Sequence, residues 1–413
     1  MIIITVGNEI LSGLIVDTNS AYIAAQCDAA GLKVRKIISV SDDADEIADA
    51  LASSFSSPSP HCANVTLITG GLGPTNDDVT KIALARFFNC TETVVHRPSL
   101  ENIEARFAAR GIASNELNRQ QAEVPACCTA ILNRHGTAPG MWFERDAAIA
   151  VAMPGVPSEM KAMLPDVLNR LAGRFVLPNI VRRTMMVYGI PESTLAEMIA
   201  PWERMLPENM SLAYLPDVET GVKLRLSTTT DNKDSTAIDE RFAALAPLLG
   251  DSVYGYAPDS LESVVGQRLA ERNATLAVAE SCTGGSVARR ITSVPGCSAW
   301  FKGGIVAYSD EAKANLLGID PRDLERFGAV SAEIAERMAI GVRRALNSDF
   351  AAATTGFAGP AGGTDENPVG TCFVAVAAAA AVNVVKYRFV ADRATAVAAA
   401  AATALNRLRL FIN

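Results

Sequence analysis

Short unbroken apolar runs alternate along this chain with stretches in which apolar residues return at helical spacing. Ile2-Ile3-Ile4-Thr5-Val6 has the continuous apolar character of a strand buried on both faces. After Asp17-Thr18-Asn19, the positions Tyr22, Ile23, Cys27 and Ala30 repeat with the period of a helix. Leu32 to Val40 predicts a second strand, Ala44 to Phe55 a second helix and Asn64 to Ile68 a third strand. A helix through Ile82, Leu84 and Phe87 follows. Strands and helices alternating at these lengths predict a mainly parallel sheet covered on both faces. Ser53 to Cys62, with its prolines and serines, reads as a surface connection.

The texture changes after Leu177-Pro178. Strands are expected at Thr184 to Tyr188, Met210 to Leu215 and Val222 to Thr228, with helices at Glu192 to Ile199 and Ala237 to Leu249. Ser252 to Ser260 reads as a hinge into a third block. There, strands are expected at Thr275 to Val278, Gly304 to Tyr308 and Phe350 to Ala353. Val369 to Ala377 and Val382 to Val390 then read as adjacent antiparallel strands, and Ala394 to Phe411 as a closing helix. The pattern is α/β throughout, in three blocks: 1–170, 171–255 and 256–413.

The chain's 413 residues exceed what one core usually holds, so several domains are expected. Its 49% hydrophobic and 20% charged residues describe an ordinary soluble globular protein. A net charge of -8 argues against a broad nucleic-acid surface, and Arg182-Arg183, Arg289-Arg290 and Arg343-Arg344 read as solvated helix faces or isolated contacts rather than a phosphate-tracking stripe. The eight cysteines show no C-x-x-C spacing, so reduced thiols in a cytoplasmic protein are the expectation. No signal peptide is recognisable at the start, and no stretch of about 20 apolar residues predicts a membrane span.

Three segments that follow predicted strands, two of them glycine-rich turns, carry the candidate chemistry of the last block. Ala279-Glu280-Ser281-Cys282-Thr283-Gly284-Gly285 joins a predicted strand to a helix-like segment with Val287, Ile291 and Val294 on one stripe. Glycines allow close backbone approach, and helix-start N–H groups favour an anion or a developing oxyanion. A serine or threonine there is a nucleophile, a phosphate ligand or only a cap. Lys313 shares a helix face with Leu316 and Leu317, so it either snorkels to the surface or lies inside with a lowered pKa. A desolvated lysine is the base a serine nucleophile needs when no histidine serves it. The three histidines stand at 61, 96 and 135, far from this region. Cys282 ranks below Ser281 for the same lack of an activating histidine. The third segment is Thr354-Thr355-Gly356-Phe357-Ala358-Gly359-Pro360-Ala361-Gly362-Gly363, again after an apolar run. In open α/β sheets such loops converge at the strand ends.

In the first block, Thr69-Gly70-Gly71-Leu72-Gly73-Pro74-Thr75-Asn76-Asp77-Asp78 offers a backbone cradle for phosphate beside paired carboxylates suited to a divalent cation. The alternative is that Asp77 and Asp78 cap the next helix. Pro154-Gly155-Val156-Pro157 lies just before Glu159 and otherwise reads as a turn out of the sheet.

AESCTGG, Tyr308-Ser309-Asp310-Glu311-Ala312-Lys313 with Leu316-Leu317-Gly318, Gly328-Ala329-Val330-Ser331, and TGFAGPAGG with Pro368-Val369-Gly370-Thr371 together resemble the CinA carboxy-terminal domain family, which includes the PncC amidohydrolases of nicotinamide mononucleotide (NMN). The resemblance implies Ser281 as nucleophile, Lys313 as base and Tyr308 as a polar partner, with no cofactor. It implies Thr283, Gly284, Gly285, Thr355, Gly356, Gly359, Gly362 and Gly363 as substrate contacts, with the amides of Thr283 to Gly285 serving either oxyanion or phosphate. Many relatives carry a lysine before Pro-Val-Gly where this chain has Asn367, so another cation is expected to read the phosphate or affinity to be weaker.

GNEILSG, DTNS, GGLGPTNDD, Asn133 with Gly136-Thr137-Ala138-Pro139-Gly140, and Met153-Pro154-Gly155-Val156-Pro157-Ser158-Glu159-Met160 are similar to the amino-terminal, molybdopterin-binding-like domain of CinA proteins. This implies a three-layer domain that is a metal-dependent ADP-ribose pyrophosphatase in some members. Asp77, Asp78, Glu9 and Glu159 are the expected ligands of a divalent metal, and Asn19, Gly70, Gly71 and Gly73 the nucleotide contacts. The middle block resembles the small KH-like domain of the same proteins, without a G-x-x-G loop for RNA. A homodimer is the expected assembly, NMN and ADP-ribose the expected small-molecule partners, with no membrane or nucleic acid bound. Alternatives are that one head alone is active, or that the chain is an accessory factor in competence or DNA damage.

Overall fold

The computed structural model describes residues 1–412 apart from 56–63, 74, 76–78, 146–147, 176 and 231–233. The chain divides into two compact units, Met1–Ile180 and Val181–Asn413.

The first unit holds strands β1 (Ile2–Val6), β2 (Lys36–Val40), β3 (Asn64–Thr69), β4 (Thr93–Val95), β5 (Glu123–Pro125), β6 (Thr129–Ile131), β7 (Gly140–Arg145) and β8 (Ala148–Met153). Its main sheet runs β2-β1-β3-β8-β7-β6. β2, β1, β3 and β8 are parallel, whereas β7 and β6 extend the sheet antiparallel. Successive side chains of a strand point to opposite faces. Ile3, Leu67, Ile149 and Val151 accordingly pack with Ile23, Met163 and Leu164, from the helices Thr18–Ala29 and Pro157–Ala172. Ile4, Ile68, Ala150 and Ala152 face the other way, onto Ile47, Leu51 and Leu84 from Ala44–Phe55 and Thr80–Phe87. The result is three layers, with central strands apolar at nearly every position because both faces are covered. The expected strand from Leu32 begins only at Lys36.

In the second unit, β9 (Asn179–Val187), β10 (Met210–Asp217), β11 (Gly221–Thr230) and β12 (Val253–Tyr256) form a sheet ordered β10-β11-β9-β12. Val222, Leu224 and Leu226 of β11 alternate inward with period two, onto Leu195, Ile199, Phe242 and Leu245 of its two helices. The segment expected to be a hinge is in part β12, paired antiparallel with β9. Tyr254 and Met186 join the apolar core built on Leu261, Leu269 and Trp300. Arg409 of the last helix donates to the Asp251 carbonyl at 2.6 Å. Shared core residues and this hydrogen bond join the segment to the block that follows it.

The sheet that carries the chemistry comprises β13 (Leu276–Glu280), β14 (Phe301–Val306), β15 (Phe350–Gly356), β16 (Thr371–Ala377) and β17 (Val382–Arg388), in the order β14-β13-β15-β16-β17. Leu276, Val278, Ala352 and Val374 face the helices Leu261–Glu271 and Arg393–Phe411. Ala277, Ala279, Ala351 and Ala353 face Ala332–Ala345. β14, β13 and β15 are parallel, so the segments leaving their carboxyl ends emerge on one edge of the sheet. Those segments are the two glycine-rich turns singled out by sequence, after β13 and β15, and the stretch after β14 that enters the helix Asp310–Leu317.

Candidate active site

The turn after β13 is held from inside by Glu280. Its buried carboxylate accepts hydrogen bonds from the N–H groups of Gly285 (3.0 Å), Val287 (3.0 Å) and Ala288 (2.8 Å). It thereby closes the start of the helix Ser286–Thr292 in place of a cap side chain. Gly284 N–H bonds the Ser281 carbonyl at 3.2 Å. The amides of Gly284 and Gly285, expected to meet oxyanion or phosphate, are thus engaged within the turn. Thr283 is buried, its hydroxyl 2.6 Å from that of Thr354. Ser281 is fixed through its own N–H, which donates to Thr354 O at 2.9 Å.

Ser281, Cys282, Tyr308, Asp310, Lys313, Ala329, Val330, Thr355, Gly356, Ala358 and Arg393 line one cavity of about 190 Å³. Lys313 is the buried alternative, 1% exposed. Its Nζ donates to the Tyr308 carbonyl at 3.2 Å and stands 3.7 Å from Asp310 Oδ1. Burial lowers its pKa from the ordinary lysine value, against the opposing pull of Asp310. Helical spacing brings this about: Ser309 caps the helix by accepting from Ala312 N–H, and Lys313 then falls on the inward face with Leu317.

Tyr308 is 61% exposed and lies past the end of β14, which stops at Val306. Its hydroxyl accepts from Arg393 at 3.1 Å, and Arg393 also donates to Gly359 O at 2.8 Å. Arg393 begins the last helix, eighty residues after Lys313, with no local motif to announce it. It brings a guanidinium to the cavity that no sequence motif marks. Thr355 donates to Ala329 O at 2.7 Å, which ties the turn after β15 to the segment before Ser331. Gly356 lines the cavity, and Gly359 meets it through Arg393. Thr283, Gly284, Gly285, Gly362 and Gly363 lie outside that lining. Asn367 donates to Val330 O at 3.3 Å, so it braces the wall.

In the first unit a larger cavity, about 480 Å³, brings together Glu9, Asp17, Asn19, Asp42, Gly70, Gly71, Gly73 and Glu159. Gly70 has φ 111° and no room for a side chain, since a Cβ would stand 2.1 Å from the Val6 carbonyl oxygen. Asn19 donates to Gly155 O (2.7 Å) and Thr69 Oγ1 (3.2 Å), joining two turns. Asn133 holds Glu159 at 2.7 Å and accepts from the N–H groups of His135 and Gly136, which explains that motif as a carboxylate clamp. Asp77 and Asp78 lie outside the described residues. Among the described residues, no group of three or more His, Cys, Asp or Glu side chains is placed to hold a metal ion.

Residues 2–173 match the family described as "Probable molybdopterin binding domain", 182–255 the "Damage-inducible protein CinA KH domain" and 258–412 the "CinA C-terminal domain". A CinA-like protein of Cytophaga hutchinsonii is 45% identical over 378 residues, covering 91% of this chain and 89% of that one. Another from Gemmatimonas aurantiaca is 40% identical, covering 98% and 95%. Among the described residues, no helix is long and apolar enough to cross a membrane.

Proposed function

Because this chain belongs to the CinA family, we propose that its last domain is an amidohydrolase that converts NMN and water to nicotinate mononucleotide and ammonia. The observation that carries this reading is a buried amine, Lys313, lining one cavity with the hydroxyl of Ser281, its pKa lowered by desolvation. A neutral amine takes the Ser281 proton while Oγ attacks the carboxamide carbon. The same amine returns that proton to the leaving nitrogen as the C–N bond breaks and ammonia departs. Water, deprotonated in turn by Lys313, then cleaves the serine ester and releases the carboxylate.

Ligand pockets commonly measure about 300–1,000 Å³, so this cavity of about 190 Å³ suits the carboxamide ring end, with ribose and phosphate at its mouth. Exposed Arg393 supplies the cation there that position 367 lacks, and a guanidinium is well shaped for phosphate. Ammonia release from NMN by the purified chain, abolished in Ser281→Ala, tests the reading. Hydrolysis that persists in that variant overturns it.

The first unit supports a second reading, that its cavity takes ADP-ribose and cleaves the pyrophosphate. Its volume falls in the ligand range, and Gly70 and Gly71 let backbone approach a diphosphate. AMP release from ADP-ribose, with added divalent metal and with chelator, is the test. Absence of both binding and AMP under either condition overturns it.

A further inference from the structure

We propose that Cys282 and Cys372 are a modification site for small hydroperoxides, which couple them into a reversible disulfide beside Ser281. Their Sγ atoms stand 3.7 Å apart, and the residues are 9% and 3% exposed. Cys282 lines the cavity that holds Ser281 and Lys313. Cys372 lies behind it on β16, and both border a smaller void with Phe357, Ala358 and Ala400. A peroxide that occupies the substrate cavity therefore meets Cys282 first, with a second thiol already in contact.

The two sulfurs have distinct roles. Its hydrogen bond to Cys282, and then burial, raise the Cys372 thiol well above the ordinary range, so Cys372 keeps its proton. Cys282, on the cavity side, reacts as the thiolate. The Cys282 sulfur attacks one peroxide oxygen and the O–O bond breaks. The other oxygen leaves as water, or as an alcohol from an organic peroxide, with the proton Cys282 gave up. Cys282 is now a sulfenic acid. The Cys372 sulfur attacks it, the S–O bond breaks, and hydroxide leaves with the Cys372 proton as water. Two thiols are oxidised by two electrons and one peroxide is reduced.

A disulfide needs its sulfurs about 2.05 Å apart, so the pair must close by roughly 1.7 Å. Cys372 is fixed in a central position of the sheet, whereas Cys282 sits in the turn after β13. The movement falls on that turn and displaces Ser281. The predicted loss of hydrolysis rests on the amidohydrolase reading, but formation of the bond does not.

The test treats the reduced full chain with hydrogen peroxide and maps its peptides without reduction. The expected result is a cross-linked pair of peptides containing residues 282 and 372, lighter by two hydrogens and released by dithiothreitol. Ammonia release from NMN should fall in proportion to the cross-linked fraction and return on reduction. In Cys372→Ala the cross-link should vanish and dimedone should trap a sulfenic acid on Cys282. Both thiols remaining free to alkylation, or coupling confined to Cys90 and Cys127, overturns the proposal. A cross-link that leaves ammonia release unchanged overturns the claim that it acts on Ser281. No ammonia release even from reduced protein, with the cross-link present, fails the amidohydrolase reading and upholds the modification site.

Discussion

Replacing Glu280 by glutamine keeps the side chain's size while removing its charge and one of its acceptor oxygens. Oε2 takes two backbone N–H groups and Oε1 takes one. The glutamine oxygen will therefore occupy the Gly285 and Val287 side, leaving Ala288 N–H against a donor. A hydrogen bond to a charged acceptor contributes about 1.5–3 kcal/mol. Loss of negative charge at a helix start removes about 0.3–1 kcal/mol more. The turn should be destabilised by roughly 2–4 kcal/mol, which is about 30- to 1,000-fold more frequent opening. Hydrogen exchange read by mass spectrometry on a peptide spanning residues 281–292 measures this directly. The amides of Val287 and Ala288 should exchange at least about 30-fold faster than in the parent protein. Glu280→Asp, which keeps the charge on a shorter stem, should lie between the two. Equal protection in parent and Gln variant would refute the claim that this carboxylate orders the turn carrying Ser281.

Activity on NMN should rise with pH through the lowered pKa of Lys313, and Lys313→Arg should be inactive yet folded, since arginine does not give up its proton. A normal rate in that variant removes the amine from its role. The same shift makes a stability prediction: unfolding frees the amine to regain its ordinary value near 10.5, so between the two values the unfolded chain binds the extra proton. Stability relative to Lys313→Met should thus climb with pH across that window and be lowest below it, and chemical denaturation at several pH values would expose a flat difference as contrary. Arg393→Gln should raise KM for NMN by about 10- to 150-fold, the loss of about 1.5–3 kcal/mol of charge-assisted bonding, with little change for nicotinamide riboside, which lacks the phosphate. Gly70→Ala should lower the thermal transition of the first unit, since it meets both a φ of 111° and a backbone oxygen at 2.1 Å; an unshifted transition contradicts that packing.

Much of the fold was legible where apolar runs were long. Ile2–Val6 and Ala44–Phe55 read directly, because a strand covered on both faces and an amphipathic helix leave unmistakable periods. β12 did not read as a strand: its four residues sit among glycine, serine and proline, and pairing with β9 decides their conformation. The alanine-rich stretch 375–382 is poor strand material by propensity, and its middle, 378–381, is the turn between β16 and β17, closed by the Ala378 N–H to the Ala381 carbonyl at 2.8 Å. Ser281 and Lys313 were identifiable from motif, and their meeting in one cavity follows from parallel strands ending on one edge. Arg393 was invisible because tertiary packing alone brings the last helix to that edge. Glu280 was legible only as a neighbour of the serine, since a capping role is set by where the chain returns after Gly285.

The central claim is that a neutral amine at Lys313 activates the hydroxyl of Ser281 toward a carboxamide. Product analysis of NMN incubated with the parent chain, Ser281→Ala and Lys313→Arg, all shown to be folded, tests it most directly. Nicotinate mononucleotide and ammonia in equal amounts from the parent chain, and neither from the two variants, is the predicted result. Undiminished ammonia from either variant, or intact NMN after incubation with the parent chain, would contradict it.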